Sequence, residues 1–320
     1  MKKWLLFSSI VLFSACHHQA DRGVPVIGFA DAFQDNTIEQ AKTGFIDALR
    51  ANGFDEKKGT LKIIYRNAQG NIPTLTQIIK YFISQQVTLI ATNPSLSTIA
   101  AVQNTKDLPI FMMVSPTPAL MKINDSAGEA PRNLLGVGET LDYIDTSFLL
   151  IPKLVSAKSG QLTVGMIYNQ SEPQSVESME RIRNLAKVHH INLIYQPVNS
   201  TADVQLVTAS LLSKNIDVFF ANPDNIVFES FETIIQSCNQ RNIPVFTSEA
   251  GLVERGALAA YGADIYQWGY QAGQQAAVYL KTKRMEGLHW QMVMIRKKVY
   301  NPAVAKKFGI PVPSNFQPVQ

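Results

Sequence analysis

One pattern, used twice, constrains this chain more than any other feature. Val87–Thr117 reads VTLIATNPSL, an amphipathic run, then DLPIFMMVSPT; Asp217–Glu249 reads DVFFANPDN, an amphipathic run, then NIPVFTSE. Each copy is a short apolar strand, an Asn-Pro elbow (Asn93-Pro94, Asn222-Pro223), a helical run, a Pro-led apolar strand (from Pro109 or Pro244) and a polar tip at Ser115 or Ser248. Short apolar runs alternating with helical runs specify βαβ units on a parallel sheet. Two copies imply two similar α/β lobes, a division that suits a chain of 320 residues. Open α/β sheets bind ligands beyond the carboxyl ends of their strands. Both elbows lie at such ends, which directs attention to the cleft between the lobes.

The remaining pattern extends the alternation. Strands are expected at Val24–Ala30, Leu61–Tyr65, Asn133–Gly138, Gln161–Tyr168, Ile191–Pro197 and Ala257–Tyr261. Helices are expected between them, the first capped by Asp35 or Asn36 and stopped by Gly53, and a later one capped by Thr140 or Asp142 and running to about Val155. Phe228–Gln240 reads as one helical run, Gly251–Gly256 as a turn, and Tyr266–Lys281 as a long helix whose small residues permit close packing. The chain changes lobe near Gly138 and returns near Ala263, so the lobes are joined by a multi-crossover hinge. The first lobe is then 24–139 plus about 265–285; the second is 140–264 plus about 286–320 with the tail.

Met1–Cys16 reads MKKWLLFSSIVLFSAC: a basic start, an apolar stretch too short to span a bilayer, then small residues before a cysteine. This resembles a bacterial lipoprotein signal that leaves a lipidated Cys16 as the first mature residue, with 17–23 as a tether. The other reading is a plain secretion signal. Both place the mature protein outside the cytoplasm. The second cysteine, Cys238, reads as a buried filler, and no structural disulfide is expected. The five histidines fall alone or as adjacent pairs, which do not share a helix face, so no metal site is expected. A net charge of +4 with dispersed Lys and Arg gives no nucleic-acid footprint.

The ordered pieces resemble a known family. Gly44-Phe45, NAQG (Asn67–Gly70), TNP (Thr92–Pro94), TKDLPI (Thr105–Ile110), NLLGV (Asn133–Val137), VGMIYNQSEPQS (Val164–Ser175), NPDN (Asn222–Asn225), NIPVF (Asn242–Phe246), GALAAYGADIYQWGYQAG (Gly256–Gly273), Asn301 and FGIPVP (Phe308–Pro313) are similar in order and spacing to the ABC-transporter substrate-binding proteins of the tryptophan/tyrosine type. The resemblance spans almost the whole mature chain. It implies a type I periplasmic-binding-protein fold, a free amino acid as ligand (aromatic or large apolar), a membrane permease as partner, a monomer, and no cofactor. Two departures fall at the cleft: Ser115-Pro116-Thr117-Pro118 replaces an Asp-Pro, and Thr92-Asn93-Pro94 replaces a Thr-Pro. They bear on the ligand more than on the fold.

An amino-acid zwitterion needs donors for its carboxylate, a carboxylate for its ammonium and apolar walls for its side chain. Thr92, Ser95, Ser115 and Thr117 lie where helix N-termini should meet the cleft, although Ser95 also reads as a plain N-cap. Asp224 is the first choice for the ammonium and Glu249 the second; Asp224 has its own alternative as the cap of the following helix. Phe33, Tyr168 and Tyr261 are candidates for stacking, against a core-packing alternative for each. Asn169, Glu172, Ser175, Asn222 and Asn225 are polar rim candidates, whereas Trp268 and Tyr270 read as core or hinge packing. Binding for import, a sensor lobe for a membrane signalling partner and an enzyme are the competing functions. The enzyme is weakest, because no GxSxG, HExxH, P-loop or GxGxxG occurs.

Overall fold

The computed structural model describes residues 23–158 and 160–319. The leader, Cys16 and most of the tether lie outside the described residues.

The first lobe begins with strictly alternating elements: β1 (Val26–Asp31), α1 (Asn36–Ala51), β2 (Lys62–Asn67), α2 (Ile72–Ser84), β3 (Leu89–Asn93), α3 (Ser95–Asn104), β4 (Ile110–Pro116) and β5 (Leu134–Glu139). The apolar runs become strands because both faces of the sheet are covered, and β3 is buried at every position. Asp35 caps α1, its carboxylate accepting from the Thr37 and Ile38 N–H groups. Pro73 sits in the first turn of α2 behind the Asn71 cap. Where β4 meets β5 the register shifts between Met112 and Ser115. Gly136 adopts φ +92° there, and a Cβ at this position would lie 2.3 Å from the Met112 carbonyl oxygen.

The second lobe follows as α4 (Asp142–Phe148), α5 (Ile151–Leu154), β6 (Thr163–Asn169), α6 (Pro173–Val188), β7 (Asn192–Val198), α7 (Thr201–Leu212), β8 (Val218–Ala221), α8 (Asn225–Glu229), α9 (Phe231–Gln240), β9 (Val245–Thr247), α10 (Ala250–Glu254) and β10 (Ala259–Ala263). Three expectations are corrected. The single helix to Val155 is two, because Pro152 has no N–H to continue α4 and starts α5. Phe228–Gln240 is divided at Ser230 between α8 and α9. The turn at Gly251–Gly256 begins as α10, whose Leu252 and Val253 are buried against the core.

The chain then returns as α11 (Ile265–Thr282), adds β11 (Gln291–Met292), and finishes with β12 (Arg296–Tyr300), α12 (Pro302–Phe308) and β13 (Gln317–Pro318). The first sheet runs β11-β5-β4-β3-β1-β2 and the second β7-β6-β8-β9, both with parallel pairing; β10, β12 and β13 form a third, in which β10 and β12 are antiparallel. Placing all of 286–320 with the second lobe is therefore corrected at β11. The chain leaves α11 beside the edge of the first sheet and pairs with β5 before crossing again. Three crossovers, at 139–142, 263–265 and 292–296, join the lobes.

The return helix α11 packs on α1 through glycine. A Cβ on Gly269 would sit 1.9 Å from the Ala41 carbonyl oxygen, and one on Gly44 would sit 2.0 Å from that of Tyr266. Backbones can approach this closely only where no side chain intervenes. Among the described residues, no helix is long and apolar enough to cross a membrane.

Candidate functional site

The strand ends of the two lobes face each other across a cavity of about 50 Å³. Its apolar walls are Ile38, Pro94, Val114, Pro116, Leu141, Pro223, Phe228 and Trp268, and its polar groups are Ser95, Ser115, Glu139, Tyr143, Glu172, Gln174, Asp224, Asn225 and Glu249. Every one of these comes from a strand end, an elbow or the helical turn that follows one, Trp268 included, which stands in the first turn of the hinge helix α11.

One polar cluster forms where the N-termini of α3, α6 and α8 converge. Glu172 accepts hydrogen bonds from the side-chain amides of Gln174 and Asn225, from the Asn225 backbone N–H at 3.1 Å, and from the Ser95 hydroxyl of the opposite lobe at 3.4 Å. Gln174 and Asn225 also donate to the Ser95 Oγ at 2.9 and 3.2 Å. Helix N-termini favour a negative charge here. Burial opposes it and, with the Asp224 charge nearby, holds the Glu172 carboxyl well above its ordinary range.

Asp224 is buried beside this cluster and fully occupied. One oxygen accepts from the Ile226 and Val227 N–H groups at 2.8 and 3.1 Å; the other accepts from the Asn169 N–H at 2.6 Å and from the Ser175 hydroxyl. It is the cap of α8, as its alternative reading had it. Burial still raises its carboxyl above the ordinary value.

A second polar cluster lies at the hinge. Glu139 ends β5 and is 2% exposed; one carboxylate oxygen accepts from Arg296 on β12, and Oε2 has no partner. Tyr143 on α4 donates its hydroxyl to Glu249 Oε1 at 2.6 Å. Burial pushes both carboxyls up to about 7, the neighbouring Glu249 charge adding to the rise at Glu139. Burial and then the Glu249 and Glu139 charges raise the Tyr143 phenol well above its usual value.

The other sequence candidates are placed as follows. Ser95, Ser115, Glu172, Asp224 and Glu249 line the cavity. Thr92 stands one layer behind, its hydroxyl 2.9 Å from Thr98, which in turn is 3.1 Å from Ser115. Asn222 holds the α6 turn, donating to the Ser175 hydroxyl and carbonyl at 3.0 and 3.2 Å. Asn169 contributes its backbone N–H to Asp224. Phe33 is corrected to the core, where it packs with Ile38 and Ala32. Tyr168 is corrected to an edge-on contact with Tyr195 on the sheet face, and Tyr261 to a ring beneath Lys298. Thr117 lines a separate recess with Arg132 and Trp290. The aromatic walls are instead Phe228 and Trp268, and Glu139, Tyr143 and Gln174 were not anticipated. Glu139 had a readable signal: it ends the strand LLGVGE, so the strand-end rule applies to it as much as to Ser115.

The lobes also touch directly at the outer lip. Arg255, after α10, reaches Asp35 at 2.5 Å and the Thr37 hydroxyl at 3.2 Å on the opposite lobe, while Glu232 and the Phe228 carbonyl hold it from its own.

Residues 27–317 match the family model described as ABC transporter substrate binding protein. The chain belongs to this family. A tyrosine-binding protein of Clostridioides difficile is 31% identical to it over 257 residues, 80% of this chain and 73% of that protein. The crystal structure of a conserved domain protein from Vibrio cholerae matches with a TM-score of 0.82 and 27% identity over 93% of this chain and 100% of that one. A Streptococcus domain solved in complex with L-Trp matches with a TM-score of 0.82 over 92% and 99%; at 21% identity this likeness concerns the fold. The α/β fold with parallel sheets is thus that of ABC substrate-binding proteins, and this substrate-binding protein presents its cavity where the fold closes on ligands.

Proposed function

We propose that this substrate-binding protein is the extracytoplasmic component of an ABC importer and captures an aromatic or large apolar amino acid between its lobes. The observation that carries the reading is a cavity with aromatic and aliphatic walls and polar clusters at the strand ends. Phe228 and Trp268 offer flat surfaces to a ring. The first turn of α3 has no side-chain cap, which suits a carboxylate. The relative named for tyrosine supports the ligand class. The 24–139 and 140–264 bodies act as the two closing lobes, with the hinge helix and β11 on the first and the tail from β12 on the second. Closure shifts toward the ligand-bound form only through contacts better made when closed.

In this reading the protein works as a monomer, performs no chemistry, uses no cofactor or metal, binds no nucleic acid, and delivers its ligand to a membrane permease. Cys16 carries the lipid anchor. Thermal unfolding with a panel of amino acids tests the ligand class: an aromatic ligand at a hundredfold its Kd adds about 2.7 kcal/mol of stability. No shift with any aromatic or branched-chain amino acid would overturn it. Fractionation of cells expressing Cys16→Ala tests the anchor; the variant is expected in the soluble fraction, and its retention on membranes would refute lipidation there.

A further inference from the structure

The cavity holds four carboxylates, and two of them have no room for a ligand. Asp224 accepts four hydrogen bonds from its own lobe. Glu172 is surrounded by Asn225, Gln174 and Ser95. The hinge cluster differs. Glu139 is buried, faces the cavity and keeps one carboxylate oxygen without a donor. Buried acceptors are nearly always satisfied, and of the two orphan acceptors among the described residues that line the cavity, Glu139 Oε2 and Gln174 Oε1, the first belongs to a carboxylate, the group that matches a cationic donor.

Resting on the amino-acid reading above, we propose that the ligand's ammonium group binds between Glu139 and Glu249 at the hinge end of the cavity, and that Glu139, held in position by Arg296, selects for it.

Charge favours an ammonium over a neutral donor. The groups that face Glu139 are Arg296 from β12, Glu249 from the tip before α10, and Asp142 and Tyr143 from α4. Asp142 is drawn away by Arg181 at 2.8 Å. Arg296 pairs with Glu139 while Glu249 has Tyr143 as its partner, and Lys297, the neighbouring cation on β12, pairs with Asp264 at 2.7 Å. A phenol hydroxyl would satisfy the orphan oxygen but leave the excess negative charge desolvated; an ammonium answers both needs. Burial raises both carboxyls to about 7, the Glu249 charge adding to the rise at Glu139, so near neutrality the empty site holds protons. A bound cation favours their ionised forms, so binding releases protons, and affinity falls as pH is lowered from 8 to 6.

Titration calorimetry tests this with L-tyrosine, L-phenylalanine and 3-(4-hydroxyphenyl)propionate, the last being tyrosine without its amine. On the wild-type protein both amino acids bind, the deaminated acid binds at least tenfold more weakly, and buffers of different ionisation enthalpy report proton release near pH 7. In Glu139→Gln, tyrosine weakens at least tenfold while the deaminated acid does not, and the pH dependence flattens. Unfolding curves of Glu139→Gln and Glu249→Gln accompany the titrations, and the deaminated ligand and proton release need no variant at all. An unchanged penalty for removing the amine in both variants would overturn the proposal. A Glu139→Gln protein that loses only its preference between tyrosine and phenylalanine would overturn it too, assigning Glu139 to the ring hydroxyl. Wild-type protein that binds neither amino acid would instead sink the amino-acid reading, and this proposal with it.

Discussion

Asp224 and Glu139 are both buried acids at strand ends, and they have opposite uses. Asp224 stands one residue before a helix, so the free N–H groups of α8 saturate one oxygen, while Asn169 and Ser175 take the other. Glu139 stands three residues before α4 and caps nothing; among the described residues its donor is Arg296, more than 150 residues along the chain. Local capping chemistry is legible in a sequence, and the capping role offered for Asp224 is present in the structure. The partner of Glu139 was not legible, because it depends on which strands the hinge brings together. The same distinction explains the aromatic candidates. Phe33 follows a strand and Tyr168 and Tyr261 lie within strands near their carboxyl ends, but sequence alone does not say which of these side chains turns toward the cleft. Phe228 and Trp268 reach the cavity from helices whose placement depends on the tertiary arrangement.

At the scale of elements, the first lobe was almost entirely readable. Alternating apolar runs, Asp35, Pro73 and Gly53 are local signals, and each acts where it stands. The breaks at Pro152 and Ser230 were less so, because amphipathic spacing continues across both. The pairing of α1 with α11 could be anticipated only as close packing of small residues; the structure identifies the partner. Gly269 and Gly44 bring the two backbones together, with no space for a methyl group. Gly269→Ala is expected to cost roughly 3 kcal/mol, the upper part of the usual range for overpacking. Urea unfolding checks this: the midpoint should fall with little change in slope, and an unchanged midpoint would mean that the helices separate without penalty.

For the whole molecule, the repeated βαβ unit established two lobes and the cleft, while the number of crossovers emerged only from the pairing of β11 with β5 and of β12 with β10. The lips of the cleft are joined by Arg255 and Asp35, two charges largely removed from water only because the lobes meet. Asp35 is held above its ordinary value by burial, against the pull of Arg255. Removing the guanidinium leaves that carboxylate buried and unmatched, a state relieved by opening. Arg255→Ala is therefore expected to enlarge the radius of gyration of the ligand-free protein in X-ray scattering and to weaken ligand binding about tenfold, or 1.4 kcal/mol, chiefly through faster release. Identical scattering and affinity would show that the pair contributes nothing to closure.

The position of the Glu139–Arg296 pair has a mechanical consequence. It sits on two of the three crossovers, the fulcrum about which the halves rotate, whereas Asp35 follows β1, three strands across the sheet from β5. At about 4.8 Å per strand that is a lever arm of roughly 14 Å. A rotation too small to disturb a hydrogen bond at the fulcrum is magnified into several times that travel at the far rim, so the molecule gauges its cargo where motion is least and displays the result where motion is greatest.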